Sequence, residues 1–147
     1  MPPYVVSACL AGYNCRHDGS SRPCPPVIRL VEAGLALPLC PEQLSGLPVP
    51  RPPCEQKDGR VISRDGADLS AAFAGGAEAA LHLALDRHCS VAILKSRSPS
   101  CGIAGVYDGS FSRRLIPGRG IWAAMLAGAG LRLYSEECLP PQLEAEE

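Results

Sequence analysis

The sequence predicts an α/β protein: a single domain whose mostly parallel sheet is flanked by helices on both faces, in a Rossmann-like three-layer arrangement. Two observations lead there. Runs such as Tyr4–Ala8 and Val91–Leu94 are short, apolar and rich in β-branched residues, with no polar face, as expected of strands covered on both sides. Segments with helical character alternate with these runs, and that alternation calls for crossover connections between parallel strands. At 147 residues the chain can bury roughly two-thirds of its unfolded surface in one core without covalent staples.

Taken in order, the first strand ends at Cys9, and a loop from Leu10 to Pro26 follows, full of turn formers and carrying Cys15 and Cys24. A short helix from about Val27 to Ala33 stops at Gly34, a residue suited to a left-handed cap. Ala36–Leu39 is a second strand, running into Cys40-Pro41-Glu42, and the proline-rich stretch up to Pro53 forms a stiff extended wall. The longest helix is expected between Leu69 and Arg87, with Asp68 as N-cap. Leu69, Phe73, Ala77, Leu81 and Leu85 make its apolar stripe, opposite Glu78, His82 and Asp86. The strand Val91–Leu94 runs into a polar loop that reaches Cys101. A helix from about Gly120 to Ala127 holds Trp122 and Met125 as core residues, and a last strand covers Leu131–Tyr134. The expected core is about 4–136, with 137–147 as an acidic, proline-broken tail.

The formal net charge is −1 with the charges mixed along the chain, which suits a small, weakly charged ligand better than a nucleic-acid duplex. Neither a signal-like start nor an apolar run long enough to span a bilayer is present, so a cytoplasmic location is expected. Eight cysteines in a reducing compartment suggest metal binding or catalysis rather than disulfides.

In an open parallel sheet, ligands bind beyond the carboxyl ends of the strands. Cys9, Cys40 and Cys101 each follow such an end, so their thiolates can converge on one ion or cluster. Three thiolates leave zinc one ligand short, or leave a cubane 4Fe-4S cluster with one iron free; either vacancy permits catalysis. Glu42, Ser98 and Ser100 stand beside these cysteines as an acceptor and hydroxyl donors. Cys24, Cys54, Cys89 and Cys138 are read as ordinary thiols, as is Cys15 unless its loop brings it to Cys9. His82 and His88 are read as surface residues.

Three groups of residues also carry a family resemblance. They are Ser7-Ala8-Cys9-Leu10 with Cys15-Arg16-His17-Asp18-Gly19; Cys40-Pro41-Glu42 with Gly46-Leu47-Pro48 and Pro50-Arg51-Pro52-Pro53; and Leu94-Lys95-Ser96-Arg97-Ser98-Pro99-Ser100-Cys101-Gly102 with Tyr107-Asp108-Gly109. Together they closely resemble the DUF523 family, which includes the thiouracil desulfidases, and the likeness runs to Glu136. The resemblance implies a 4Fe-4S cluster on Cys9, Cys40 and Cys101, and removal of sulfur from a thiolated pyrimidine base or nucleoside to give the oxo compound and hydrosulfide. It implies proton handling by Glu42 and Ser98, and substrate positioning by Arg16, Asp18, Lys95 and Ser100. His17 and Ala11 depart from the family pattern, where tyrosine and leucine are frequent, and alter the pocket's shape.

Other readings stay open at this stage. A non-catalytic zinc or iron–sulfur module would hold a metal without a pocket beside it. A thiol redox sensor would pair Cys9 with Cys15. An enzyme acting on intact tRNA would use a local basic patch of Arg16, Arg22, Arg51 and Arg97. The chain is expected to act as a monomer.

Overall fold

The computed structural model describes residues 3–144. In chain order its elements are β1 (Tyr4–Ser7), a 3-10 turn (Ala8–Ala11), α1 (Pro25–Glu32), β2 (Ala36–Leu39) and α2 (Pro41–Leu44). There follow the hairpin β3 (Cys54–Lys57) and β4 (Arg60–Ser63), α3 (Ser70–Asp86), β5 (Val91–Leu94), and the hairpin β6 (Gly105–Tyr107) and β7 (Leu115–Pro117). The last are α4 (Ile121–Gly128), β8 (Arg132–Ser135) and α5 (Pro141–Glu144).

The expected α/β architecture is present. The main sheet has the order β2-β1-β5-β8 with every pairing parallel, and the register sets Val5 beside both Leu37 and Ala92. Because side chains alternate along a strand, β1 feeds two cores. Val6 packs with Val27 and Leu30 of α1 on one face, while Val5 packs with Ala77 and Ala80 of α3 and Trp122 of α4 on the other. Trp122 is fully buried, and its indole N–H meets no acceptor among the described residues.

Three sequence expectations change. The buried face of α3 is made of Phe73, Gly76, Ala77, Ala80 and Ala84, whereas Leu85 of the expected stripe is 41% exposed. The reason is close packing against α2: a Cβ on Gly76 would lie 2.0 Å from the Pro41 carbonyl oxygen. Small residues, rather than leucines, therefore mark the contact. Asp68 is not the N-cap, a position taken by Leu69, but its carboxylate accepts the Ser70 N–H at 2.9 Å. Beyond residue 136 the chain folds back: Leu139 and Leu143 join the core with Tyr4, and Gln142 donates to the Tyr4 hydroxyl at 2.8 Å. Residues 145–147 of the expected tail lie outside the described residues.

Candidate active site

The carboxyl ends of β1, β2 and β5 open onto one cleft of about 580 Å³, where Cys9, Cys15, Cys40, Cys54 and Cys101 all reach the lining. Cys9 sits in the 3-10 turn after β1. The loop behind that turn folds back on it through the Arg22 N–H to the Cys9 carbonyl (3.0 Å) and the Cys24 N–H to the Leu10 carbonyl (2.8 Å), which returns Cys15 to Cys9. Cys40 is the N-cap of α2, with Glu42 in its first turn. Cys101 follows β5 in a loop whose carbonyls serve α4: the N–H groups of Gly120, Ile121 and Trp122 donate to Gly102, Pro99 and Ser100 at 2.7–2.9 Å. The first helical N–H groups, which lack partners within a helix, thus fix the Cys101 loop.

The thiols form a connected group. Cys40 hydrogen-bonds Cys15 and pulls its pKa down, but the bond to Cys9 and burial outweigh this and leave Cys15 pushed up to about 11. The bond to Cys15, together with burial, pushes the Cys40 thiol far up. Burial also drives Cys101 well above the ordinary thiol range, even though hydrogen bonds from Ser7 and Ser98 oppose it. Among the described residues, no three His, Cys, Asp or Glu side chains meet closely enough to hold a single metal ion.

Beside the thiols lies a buried ion pair. Arg51 Nη2 and Nε reach Glu42 Oε1 at 2.8 and 3.1 Å, and the two side chains are 4% and 16% exposed. Arg51 also donates to the carbonyls of Cys15 (2.9 Å) and Pro48 (3.2 Å), and its own N–H reaches His17 at 2.7 Å. One guanidinium therefore ties the cysteine loop, the proline-rich wall and α2 together. The fork leaves Glu42 Oε2 for the Ser100 hydroxyl at 3.3 Å. Arg51 is thus not part of an exposed basic patch, and Arg97 pairs with Glu137 at 2.8 Å.

The structure brings Arg16, Glu42, Lys95 and Ser98 to the cleft. Ser98 Oγ accepts the N–H groups of Ser100 and Cys101, each at 3.1 Å. Lys95 Nζ is held by Glu136 at 2.9 Å, and the same carboxylate accepts the Ser96 N–H and hydroxyl. Burial would raise the Glu136 pKa, but the bonds from Lys95 and Ser96 hold it below the usual carboxylate range. Two expected substrate contacts lie elsewhere. Asp18 is exposed and accepts from Ser20 within its own loop. Ser100 is buried behind Glu42 and does not line the cleft. Burial lowers the pKa of His17, which does line it.

Sequence reasoning missed what holds these groups. Nothing in the string Pro50-Arg51-Pro52-Pro53 marks Arg51 as the buried partner of Glu42. Glu136 and Glu55 stand in no string that suggests a site, and the β3–β4 hairpin, which forms one cleft wall, is not among the expected elements. That hairpin did carry a signal: Asp58-Gly59 are both left-handed, with φ of 51° and 78°, as a two-residue hairpin turn requires.

The sequence profile of the 2-thiouracil desulfurase family matches residues 4–138. The chain belongs to this family. Within reach of the same likeness, it is 37% identical over 142 residues to the uncharacterized protein YbbK of Bacillus subtilis (strain 168), covering 90% of this chain and 94% of that protein. It also resembles a solved structure described as the 4Fe-4S-dependent thiouracil desulfidase TudS (DUF523Vcz). That match has a TM-score of 0.90 and 39% identity, covering 99% of this chain and 97% of the other. The DUF523 resemblance read from three motif strings thus holds over nearly the whole chain.

Proposed function

We propose that the protein removes sulfur hydrolytically from a thiolated pyrimidine base or nucleoside, giving the oxo compound and hydrosulfide, with a 4Fe-4S cluster seated in the cysteine-lined cleft. The observation that carries this reading is the convergence, at one end of the sheet, of soft buried donors with a charge-paired carboxylate. Family membership and the TudS likeness support the same chemistry. We assign the ligands to Cys9, Cys40 and Cys101, one from each of three loops. Cys15 lies beside Cys9 and Cys40 but is left outside the ligand set, because the family resemblance gives one ligand to each of the three strand-end loops. A cluster so held would supply an open, thiophilic iron as a Lewis acid for the thione sulfur.

The chain's own residues then handle water and protons. Glu42 commits Oε1 to Arg51, and its Oε2, on the cleft side with the Ser100 hydroxyl, is placed to take a proton from the attacking water. Ser98, whose Oγ is fixed by the N–H groups of Ser100 and Cys101 and whose hydroxyl lies beside the Cys101 thiol, is positioned to bond the substrate ring or relay a proton to it. Arg16 and Lys95 supply positive charge at the cleft for orientation. Water adds oxygen to the ring carbon, the C–S bond breaks, and the sulfur leaves as hydrosulfide; the balance needs no electron donor. We take the protein to act in a reducing cytoplasm, where cysteines serve metals more readily than disulfides, and as a monomer.

The test is anaerobic incubation with 2-thiouracil and no reductant. Equal amounts of uracil and hydrosulfide are expected. An obligatory electron donor would overturn the hydrolytic step, and no sulfur release from any thiolated pyrimidine would overturn the activity.

A further inference from the structure

The cleft holds a second carboxylate that this chemistry does not use. Glu55 of β3 is 9% exposed and lines the cleft. Its Oε1 accepts two backbone N–H groups, from Gly109 at 3.0 Å and Phe111 at 3.1 Å. Both belong to the loop between β6 and β7 and both have positive φ, 93° and 56°, so this one oxygen steadies a turn that is strained at Phe111. Arg64, also on the cleft wall, lies over the Phe111 ring at 5.5 Å. Glu55 Oε2 takes part in no hydrogen bond or ion pair among the described residues. That oxygen is open to the cleft and no protein group donates to it, so its acceptor capacity is available to a donor from a bound molecule.

We propose that Glu55 is a substrate-binding residue whose Oε2 accepts a ring N–H of the thiolated pyrimidine. The inference rests on the function proposed above. In 2-thiouracil both nitrogens flanking the C=S carbon carry N–H, neutral donors that a carboxylate accepts well. A site built to accept an N–H rejects an analogue alkylated there, because the carboxylate would again lack a donor. Glu55 would thereby select the free lactam edge, while its other oxygen shapes the wall.

The decisive variant is Glu55→Gln. Its amide oxygen can keep both loop N–H bonds, while its NH2 group donates where Oε2 accepted. KM for 2-thiouracil should rise roughly 10- to 100-fold with kcat little changed. Tryptic cleavage at Arg114, whose side chain is 79% exposed, should stay at the wild-type rate. Glu55→Ala should raise KM and accelerate that cleavage. Methylating the contacted ring nitrogen should cost the wild type a similar factor and cost Glu55→Gln little. A Glu55→Gln KM within about twofold of wild type would overturn the proposal, as would a KM rise that always accompanies faster cleavage. Calorimetric binding of uracil, which presents the same ring N–H groups, reads the contact without turnover. A wild type that weakly binds uracil through Glu55 but never releases sulfur would therefore count against the desulfidase reading and not against this contact.

Discussion

At the scale of single residues, the controlling feature is the Arg51–Glu42 pair, because a buried charge without its partner is far more costly than the pair itself is stabilising. Arg51→Met should destabilise the fold by roughly 3–5 kcal/mol, read by urea denaturation, and adding Glu42→Gln should recover much of the loss. Arg51→Lys should not substitute, since an ammonium cannot supply the fork that spans Glu42 and the Cys15 carbonyl. Glu42→Gln alone should abolish sulfur release while iron content stays at the wild-type level; loss of iron in that variant would make Glu42 a ligand rather than a base. The sequence offered Glu42 and the cysteines readily, because they sit in unusual polar strings directly after strands. It did not offer Arg51 or Glu55, because burial of a charged residue is decided by partners distant along the chain.

At the scale of elements, two devices carry the site. The first is glycine at the α2–α3 contact. Gly76→Ala should displace α2, and with it Cys40 and Glu42, at about 1–3 kcal/mol or more. Gly75→Ala, with nothing within 4 Å, should instead stabilise α3 by about 0.5–1 kcal/mol; thermal denaturation of the two variants checks both signs. The second is Glu136, which latches the loop after β5 to the end of β8. Its folded pKa is depressed, so its contribution is present above the unfolded value and is lost as pH falls through the folded one. Glu136→Gln should therefore be less stable than wild type at neutral pH, with the gap closing in acid; a gap independent of pH would contradict this. The buried strands were legible because they are uniformly apolar. The hairpins were not, because β3 is short and largely polar and β6 and β7 are only three residues each.

At the scale of the whole molecule, four parallel strands aim their loops at one end, and separate packings hold those loops: the folded-back turn at Cys9, α2 on α3 at Cys40, and the start of α4 at Cys101. The three-layer fold was legible from the alternation of strands and helices, and the site from where the cysteines fall in it. The buried face of α3 was legible only in part: Phe73 and Ala77 of the expected stripe are buried and Leu81 packs on the core, but Leu85 is exposed because the helix also packs through Gly76, Ala80 and Ala84. If the cleft seats a cluster, loading it should stabilise the folded chain, since the unfolded chain offers no assembled set of thiolates. The most direct test is the iron and acid-labile sulfide content of protein purified without oxygen, beside Cys9→Ser, Cys40→Ser, Cys101→Ser and Cys15→Ser. The account predicts about four of each per wild-type chain, loss in the first three variants and retention in Cys15→Ser. Neither iron nor sulfide in the wild type, even after anaerobic reconstitution, would contradict it.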